Sequence, residues 1–469
     1  MGHRDPGLVA ALLALALVGC EEPEPPPPHC GSRDLGLAPP PRDEPDAGLI
    51  SAIDLRQVDA TVRIDPTAGD LRVEAFARFT ASEHGGRPVF QLRDADAQVR
   101  LDGVAVQTEQ LRVSDPPRTL TLLPEALSPC SDHDLEVVSV VEPGDLLPGA
   151  LPRLEFEGAT AWWSSAQEDG MPDQMLELWM PSNLLFDRFA LTLDVAIEGD
   201  EHGLVANGDV QEVGENRWTV AFDEKQGHGF FWALFPEARV ERLQHPVGLP
   251  EGRTVNVELL RFADDEGVDL AASAAVAQAA IQTYDERLGP YLHGDRYLAW
   301  MRSGLDVSME YDGATLSVPG ALEHEIAHSW WGRGLSPVAD QHGWIDEGMA
   351  FWATGADPFA PSAVPAGVRG ARLLTGEDEW AGAGLGLGDY LQGALVFAGI
   401  AHQVGVEALL EELRAYAAQH APGPISTDGL ERRLYCAFEQ PAVLDLFHNK
   451  VRGLEGFAEA PDADFCRAP

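Results

Sequence analysis

The stretch "SVPGALEHEIAHSWWGRG", Ser317 to Gly334, puts His324 and His328 four residues apart with Glu325 between them. Pro319 suits a first helical turn, where its missing N–H costs nothing, and Gly332, Gly334 and Pro337 supply stop signals, so the pattern predicts one helix over Val318 to Arg333. A helix rises about 1.5 Å per residue, which stacks positions four apart roughly 6 Å from each other and lets two imidazoles reach one ion. Glu325 then points about 100° away from His324 and flanks the site without closing it. With 14 histidines in 469 residues, a His-Glu-x-x-His match arises by chance in about three chains in a hundred, so the pattern has to be read with its surroundings.

A zinc ion that does chemistry takes three protein ligands and leaves a fourth position for water. The next strong segment, "HGWIDEGMAFWATG" from His342 to Gly355, carries Glu347, with 18 residues between it and His328. Here the chain resembles the gluzincin aminopeptidases, the family of membrane alanyl aminopeptidase and leukotriene hydrolase, whose pattern is His-Glu-x-x-His, 18 residues, Glu. Requiring the glutamate at that preset place lowers the chance of coincidence to about three in a thousand. The resemblance implies an α+β chain, with an N-terminal antiparallel β domain of saddle or sandwich form before a thermolysin-like, mainly helical catalytic domain. It also implies one Zn2+ ion held by His324, His328 and Glu347.

The same resemblance assigns further roles. Glu325 would take a proton from the attacking water and hand it to the leaving amine. The family's oxyanion-stabilising tyrosine stands in a Tyr-x-Lys-Gly context, and "DYLQGALVF" offers Tyr390 and Gly393, with Gln392 in place of lysine. The family holds the substrate's free amine with a glutamate in Gly-x-Met-Glu-Asn. "VSMEYDGATL" matches it at Met309 and Glu310 and departs at Ser308 and Tyr311. The implied activity is zinc-dependent release of N-terminal residues from peptide substrates. An endopeptidase with the same zinc and base is the alternative, and a non-catalytic zinc-bearing surface binding protein is another. Little chain follows "AYAAQH", so the family's C-terminal helical domain is expected to be absent and the cleft correspondingly open.

Composition places the chain outside the cytoplasm. "MGHRDPGLVAALLALALVGC" has a basic start and an uncharged run from Pro6 to Gly19, too short to span a bilayer as a mature helix, and reads as an export signal over 1–20. Its end, "LVGC", resembles the bacterial lipobox, which implies lipidation of Cys20 and an envelope protein anchored to a lipid bilayer by acyl chains. Cleavage elsewhere by an ordinary signal peptidase is the alternative. Residues 21–48, opening "EEPEPPPPHC", are proline-rich and read as a semi-rigid tether. The other cysteines, Cys30, Cys130, Cys436 and Cys466, are an even set in an exported chain, consistent with two disulfides or with free thiols. A Cys436–Cys466 pair would pin the tail, and a Cys30–Cys130 pair the tether. The net charge of −44 repels nucleic acid and anionic lipid, and its scatter along the chain fits a solubility feature of an exported surface.

From Leu49 to Glu258, apolar and polar positions alternate between turn clusters, as in "ATVRIDPTAGDLRVEAFARFTA", which predicts an antiparallel β domain over 49–258. "LWMPSNLLFDRFALTLDVAIEGDEHGLVANG" resembles the family's saddle domain. Residues 259–450 carry the expected catalytic domain and 451–469 a tail. "VDLAASAAVAQAAIQTYDERLGPYL" has helical spacing up to Gly289-Pro290, and two further helices are expected between Ala381 and His420. The glycines at 382, 384, 386 and 388 predict a mobile loop. Trp330, Trp331, Trp344, Phe351 and Trp352 read as packing around the ligand helices.

Overall fold

The computed structural model describes residues 30–466, except 33, 93, 95, 114–117, 142–152, 158–159, 165–175, 185, 227–228, 306–307, 366, 371, 375–379, 381–386 and 462–463. The export signal and Cys20 lie outside the described residues, as do Gly382, Gly384 and Gly386 of the expected glycine loop.

The first half is built on the strand Gly48–Asp65, which lies between Asp70–Ala81, antiparallel to it, and Arg188–Ile197, parallel to it. Its second part alternates as the sequence predicts, with Val58, Ala60, Val62 and Ile64 buried on one face. Asp65 turns the chain into the next strand by accepting from the N–H groups of Thr67 and Ala68. Its first part, Ile50 to Leu55, is buried on both faces, because a second small core covers it with Val89, Leu120, Leu122, Phe186 and Trp380.

The second half is less helical than expected. Five strands run in the order Val240–Gly248, Thr254–Phe262, Arg296–Met301, Ala314–Ser317, Met309–Tyr311. The inner three are mutually parallel and the two edges antiparallel. Alternation divides the faces between two cores. Val257, Leu259, Tyr297, Ala299 and Met301 meet helix α1 (Leu270–Leu288), whose Ala274, Ala277, Ala280, Ile281 and Tyr284 form its buried stripe. Leu260, Leu298 and Trp300 instead meet Val205, Phe231, Ala233 and Phe235, from a four-stranded sheet of the first half. The expected boundary at 258 therefore falls inside a strand. The segment "RTVNVELLRF" alternates like its predecessors but pairs with Arg296–Met301, a partner that alternation does not specify.

Among the described residues the second half has six more α-helices: α2 (Leu322–Ala327), α3 (Trp344–Thr354), α4 (Leu387–Val404), α5 (Val406–His420), α6 (Thr427–Phe438) and α7 (Pro441–Leu446). Gly388 is already helical. The stretch taken as tether is folded from Cys30 onward: Arg42–Glu44 pairs with Gly48–Ile50, Leu35 is buried, and Pro40 accepts from the Trp380 indole. Proline content marks that stretch as extended, and extended chain also serves as an edge strand.

Two disulfides close the chain on itself, Cys30–Cys130 across 100 residues and Cys436–Cys466 across 30. Loop-closure entropy gives each about 3 to 5 kcal/mol, the longer loop the more. Thermal melts with and without reductant should therefore separate by several degrees, up to about ten, and Cys130→Ser should lower the midpoint more than Cys466→Ser does. Equal melts would show that neither bond carries stability.

Candidate metal centre

The chain enters the site from the buried strand Ala314–Ser317 and turns through Val318–Ala321 into α2. That helix is far shorter than the span Val318 to Arg333 expected from sequence. Pro319 lies in the turn before it, and regular helix stops at Ala327, with His328 as the C-cap. The N–H groups of Ser329 and Trp330 bond three residues back, to Ile326 and Ala327, tightening the last turn, and Gly332, with φ of +121°, then takes backbone that side chains disfavour. Arg333 N–H returns to the His328 carbonyl at 2.8 Å and Leu335 N–H to Trp330 at 3.1 Å, reversing the chain beneath the histidines. One helical turn suffices for the pairing: His324 and His328 remain on one face, ring centroids 4.7 Å apart.

Glu347 comes from the first turn of α3, where aligned N–H groups favour carboxylates. Its Oε2 lies 3.2 Å from His324 Nε2 and 3.6 Å from His328 Nε2, and the two Nε2 atoms are 3.1 Å apart. Metal–ligand bonds of about 2.0–2.2 Å at tetrahedral angles place ligand atoms roughly 3.3 Å apart, so the three atoms fit three corners of a zinc tetrahedron. The outer contacts fit as well. His328 Nδ1–H donates to the Asp346 carboxylate, which aims Nε2 at the common point, and His324 Nδ1 reaches Thr354 Oγ1 at 3.5 Å, the long limit of a hydrogen bond. Asp346 and Thr354 have no place in the sequence pattern, although both sit on the helix that carries Glu347.

Electrostatics agree with a cation site. Burial and the neighbouring His328 push His324 down to about 3. Burial alone would do the same to His328, but the carboxylates of Asp346, Glu310 and Glu347 lift it well above the ordinary value. The surrounding carboxylates thus favour positive charge at this cluster.

Glu325 is buried, and its carboxylate belongs with Glu310 and His328 to a second group whose polar atoms lie within 4.8 Å of one another. It therefore flanks the ligands as expected. Tyr390 lies in the first turn of α4, its ring 6.0 Å from the His324 ring and close to parallel. Two glycines place it. A Cβ on Gly393 would sit 2.7 Å from the Gly348 Cα, and a Cβ on Gly348 2.6 Å from the Gly393 Cα, so α3 and α4 touch backbone to backbone beside Glu347 and Tyr390. Of the aromatic cluster, Trp330, Trp331, Trp344 and Trp352 are buried as expected. Phe351 is not, at 37% exposed, and its ring stands edge-on 6.5 Å from Tyr390.

Glu310 is where the sequence places it, on the edge strand Met309–Tyr311 facing the site, but in unexpected company. Arg333, only 4% exposed, brings Nη2 to 3.0 Å from Glu310 Oε1 and 3.5 Å from Asp346 Oδ2. Nothing in the sequence signals this pair, because the reversal at Gly332 creates it.

With this geometry the molecule can be set beside known structures. No family model matches the sequence, and no curated protein matches it. Among solved structures, the M1 zinc metallopeptidase from Deinococcus radiodurans superposes with a TM-score of 0.59 at 18% identity, over 87% of this chain and 96% of that one. A mutant from the same organism bound to a Tyr-Ser-Ala substrate gives the same values. A two-domain M1 zinc metallopeptidase mutant bound to L-arginine gives 0.58 at 19%, over 87% and 95%. The chain shares the fold of these enzymes. At such identity the likeness speaks for the fold, and the chemistry rests on the residues described above.

His328→Ala should remove most of the metal that wild type retains after dialysis, because two ligands do not hold a catalytic ion tightly. Elemental analysis of both proteins checks this, and equal contents would refute the ligand set. Gly393→Ala should cost about 1–3 kcal/mol by overpacking and displace Tyr390; a melt matching wild type would show that the helices can part freely.

Proposed function

We propose that the protein is a zinc-dependent peptidase that releases N-terminal residues from peptides. The observation that carries the reading is the convergence of His324 Nε2, His328 Nε2 and Glu347 Oε2 at tetrahedral spacing, with the buried Glu325 carboxylate beside them. Zinc held by His324, His328 and Glu347 would supply Lewis acidity, lowering a water's pKa toward ~7 and polarising a scissile carbonyl.

The chain's own groups do the rest. Glu325 accepts the proton of the attacking water and returns it to the leaving nitrogen. The Tyr390 phenol, its ring 6.0 Å from that of His324, donates to the oxyanion without ionising. Asp346 and Thr354 hold the imidazoles in orientation. Glu310 offers a carboxylate for a substrate ammonium at the edge of the site. Solved relatives of the fold bound to a tripeptide and to a free amino acid support peptides as the substrate class. The Glu310–Arg333 pair favours a second reading in which the amine is not required and internal bonds are cut. The export signal and the "LVGC" sequence further support an envelope protein held to a membrane by acyl chains on Cys20, which mass spectrometry of the mature N-terminus tests directly.

Glu325→Gln should keep metal and fold yet lose peptidase activity by several orders of magnitude, since the base and acid vanish together. Tyr390→Phe should lose about a hundred- to thousandfold in kcat, the scale of one oxyanion donor. A fully active Glu325→Gln protein would end the peptidase assignment, and a fully active Tyr390→Phe protein would move the oxyanion role elsewhere.

A further inference from the structure

A carboxylate that is to select a free ammonium has to be open to it and negatively charged. Glu310 meets neither condition in full. It is 4% exposed, as is Arg333, and the two form an ion pair with 3.0 Å between Nη2 and Oε1. The same Nη2 lies 3.5 Å from Asp346 Oδ2, and Asp346 in turn receives the Nδ1–H of His328. The guanidinium is therefore fixed from two sides, one of them a ligand's hydrogen-bond partner. Its backbone is fixed too. Arg333 N–H donates to the His328 carbonyl at 2.8 Å, and a Cβ on Gly332 would stand 2.0 Å from Asp346 Oδ1, so the approach of the turn to Asp346 requires glycine.

We propose, on the peptidase reading above, that Arg333 is a specificity-determining positioning residue: by occupying Glu310 it leaves the amine subsite close to neutral, so that peptides with free and with blocked N-termini are both substrates. An incoming ammonium has to share the Glu310 carboxylate with a guanidinium that Asp346 prevents from leaving. The selectivity that an unshared carboxylate confers on an amine, roughly ten- to a hundredfold for a charge-assisted hydrogen bond, is thereby mostly cancelled. The substrate class is correspondingly broader than free-amine peptides, and includes acylated N-termini.

The test compares kcat/KM for cleavage of the first bond in a tripeptide and in its N-acetyl form, with zinc-loaded full-length protein. Wild type should favour the free amine by less than about tenfold. Arg333→Gln should raise that preference by about ten- to a hundredfold, chiefly through a lower KM for the free-amine peptide, because Glu310 is released. Arg333→Lys keeps the charge and should keep the low wild-type ratio. Glu310→Gln should change the wild-type ratio by less than about threefold, and the Glu310→Gln, Arg333→Gln double variant should return to the wild-type ratio, since the gain acts through Glu310 alone. A wild-type preference above a hundredfold overturns the proposal. So does a folded, zinc-bearing Arg333→Gln protein with an unchanged ratio. If Arg333→Gln does not fold, the single Glu310→Gln variant decides, and a tenfold or larger fall in its ratio overturns the proposal. Absence of cleavage of either peptide by zinc-loaded wild type defeats the peptidase reading itself, and this inference with it.

Discussion

The contact between the Asp346 carboxylate and His328 Nδ1 is the constraint on which the rest of the site is arranged. An imidazole ligand with a free ring can turn its lone pair away from the ion, and a buried carboxylate on the opposite nitrogen prevents that. Two consequences follow in the chain around it. Asp346 has to approach the turn after α2 so closely that only glycine fits at 332, and the positive φ there reverses the chain a few residues after the second histidine. The carboxylate also needs compensation inside the protein, and the chain reversal supplies Arg333. A helix continued to Arg333 would have carried that residue about 7.5 Å beyond His328, out of reach of Asp346 and Glu310 alike.

Distant packing holds the remaining pieces. Met309 and Tyr311, on either side of Glu310, are buried in the core where the five-stranded sheet meets the four-stranded sheet of the first half. The β half thus determines where a residue of the site's edge stands, although none of its described residues belongs to the cluster of His324, His328 and Glu347. On the other side, the backbone contact of Gly348 with Gly393 brings α4 against α3, so that Tyr390 and Glu347 share one local geometry. Asp346, Glu347 and Tyr390 thus stand beside glycines where a bulkier residue would force a shift, which is what preorganisation of a site means in packing terms.

The sequence made the ligands legible because metal chemistry demands particular residue types at particular separations. His324, His328 and Glu347 meet as their spacing requires, and helix α1 is readable from its alanine-rich stripe and its end at Gly289. Alternation likewise revealed strands between Leu49 and Glu258. It did not reveal partners, so the expected boundary at 258 cuts the strand Thr254–Phe262, which pairs on both sides, and it did not reveal that residues after Cys30 fold onto the β domain. The length of α2 was misread for a related reason. Gly332, Gly334 and Pro337 are valid stop signals, but the contact that decides where the chain turns is made with Asp346, a residue 14 positions further on. Tertiary contacts of this sort leave no periodic trace.

Arg333 shows why the pattern for Glu310 was readable while its environment was not. A motif reports that a carboxylate stands on the edge strand, whereas selectivity depends on the charge that carboxylate still presents after its neighbours are counted. Among the described residues, four acidic side chains, Glu310, Glu325, Asp346 and Glu347, crowd the two histidines, all of them buried. Buried carboxylates at such spacing cannot all stay ionised without cations. A divalent ion at the ligand atoms offsets part of that charge, and Arg333 offsets another part at a fixed place, between Glu310 and Asp346. On the reading proposed above, the ion's share would serve chemistry at a carbonyl, whereas the arginine's share falls on Glu310, so the compensation that makes the acidic site stable would also set its breadth toward substrates.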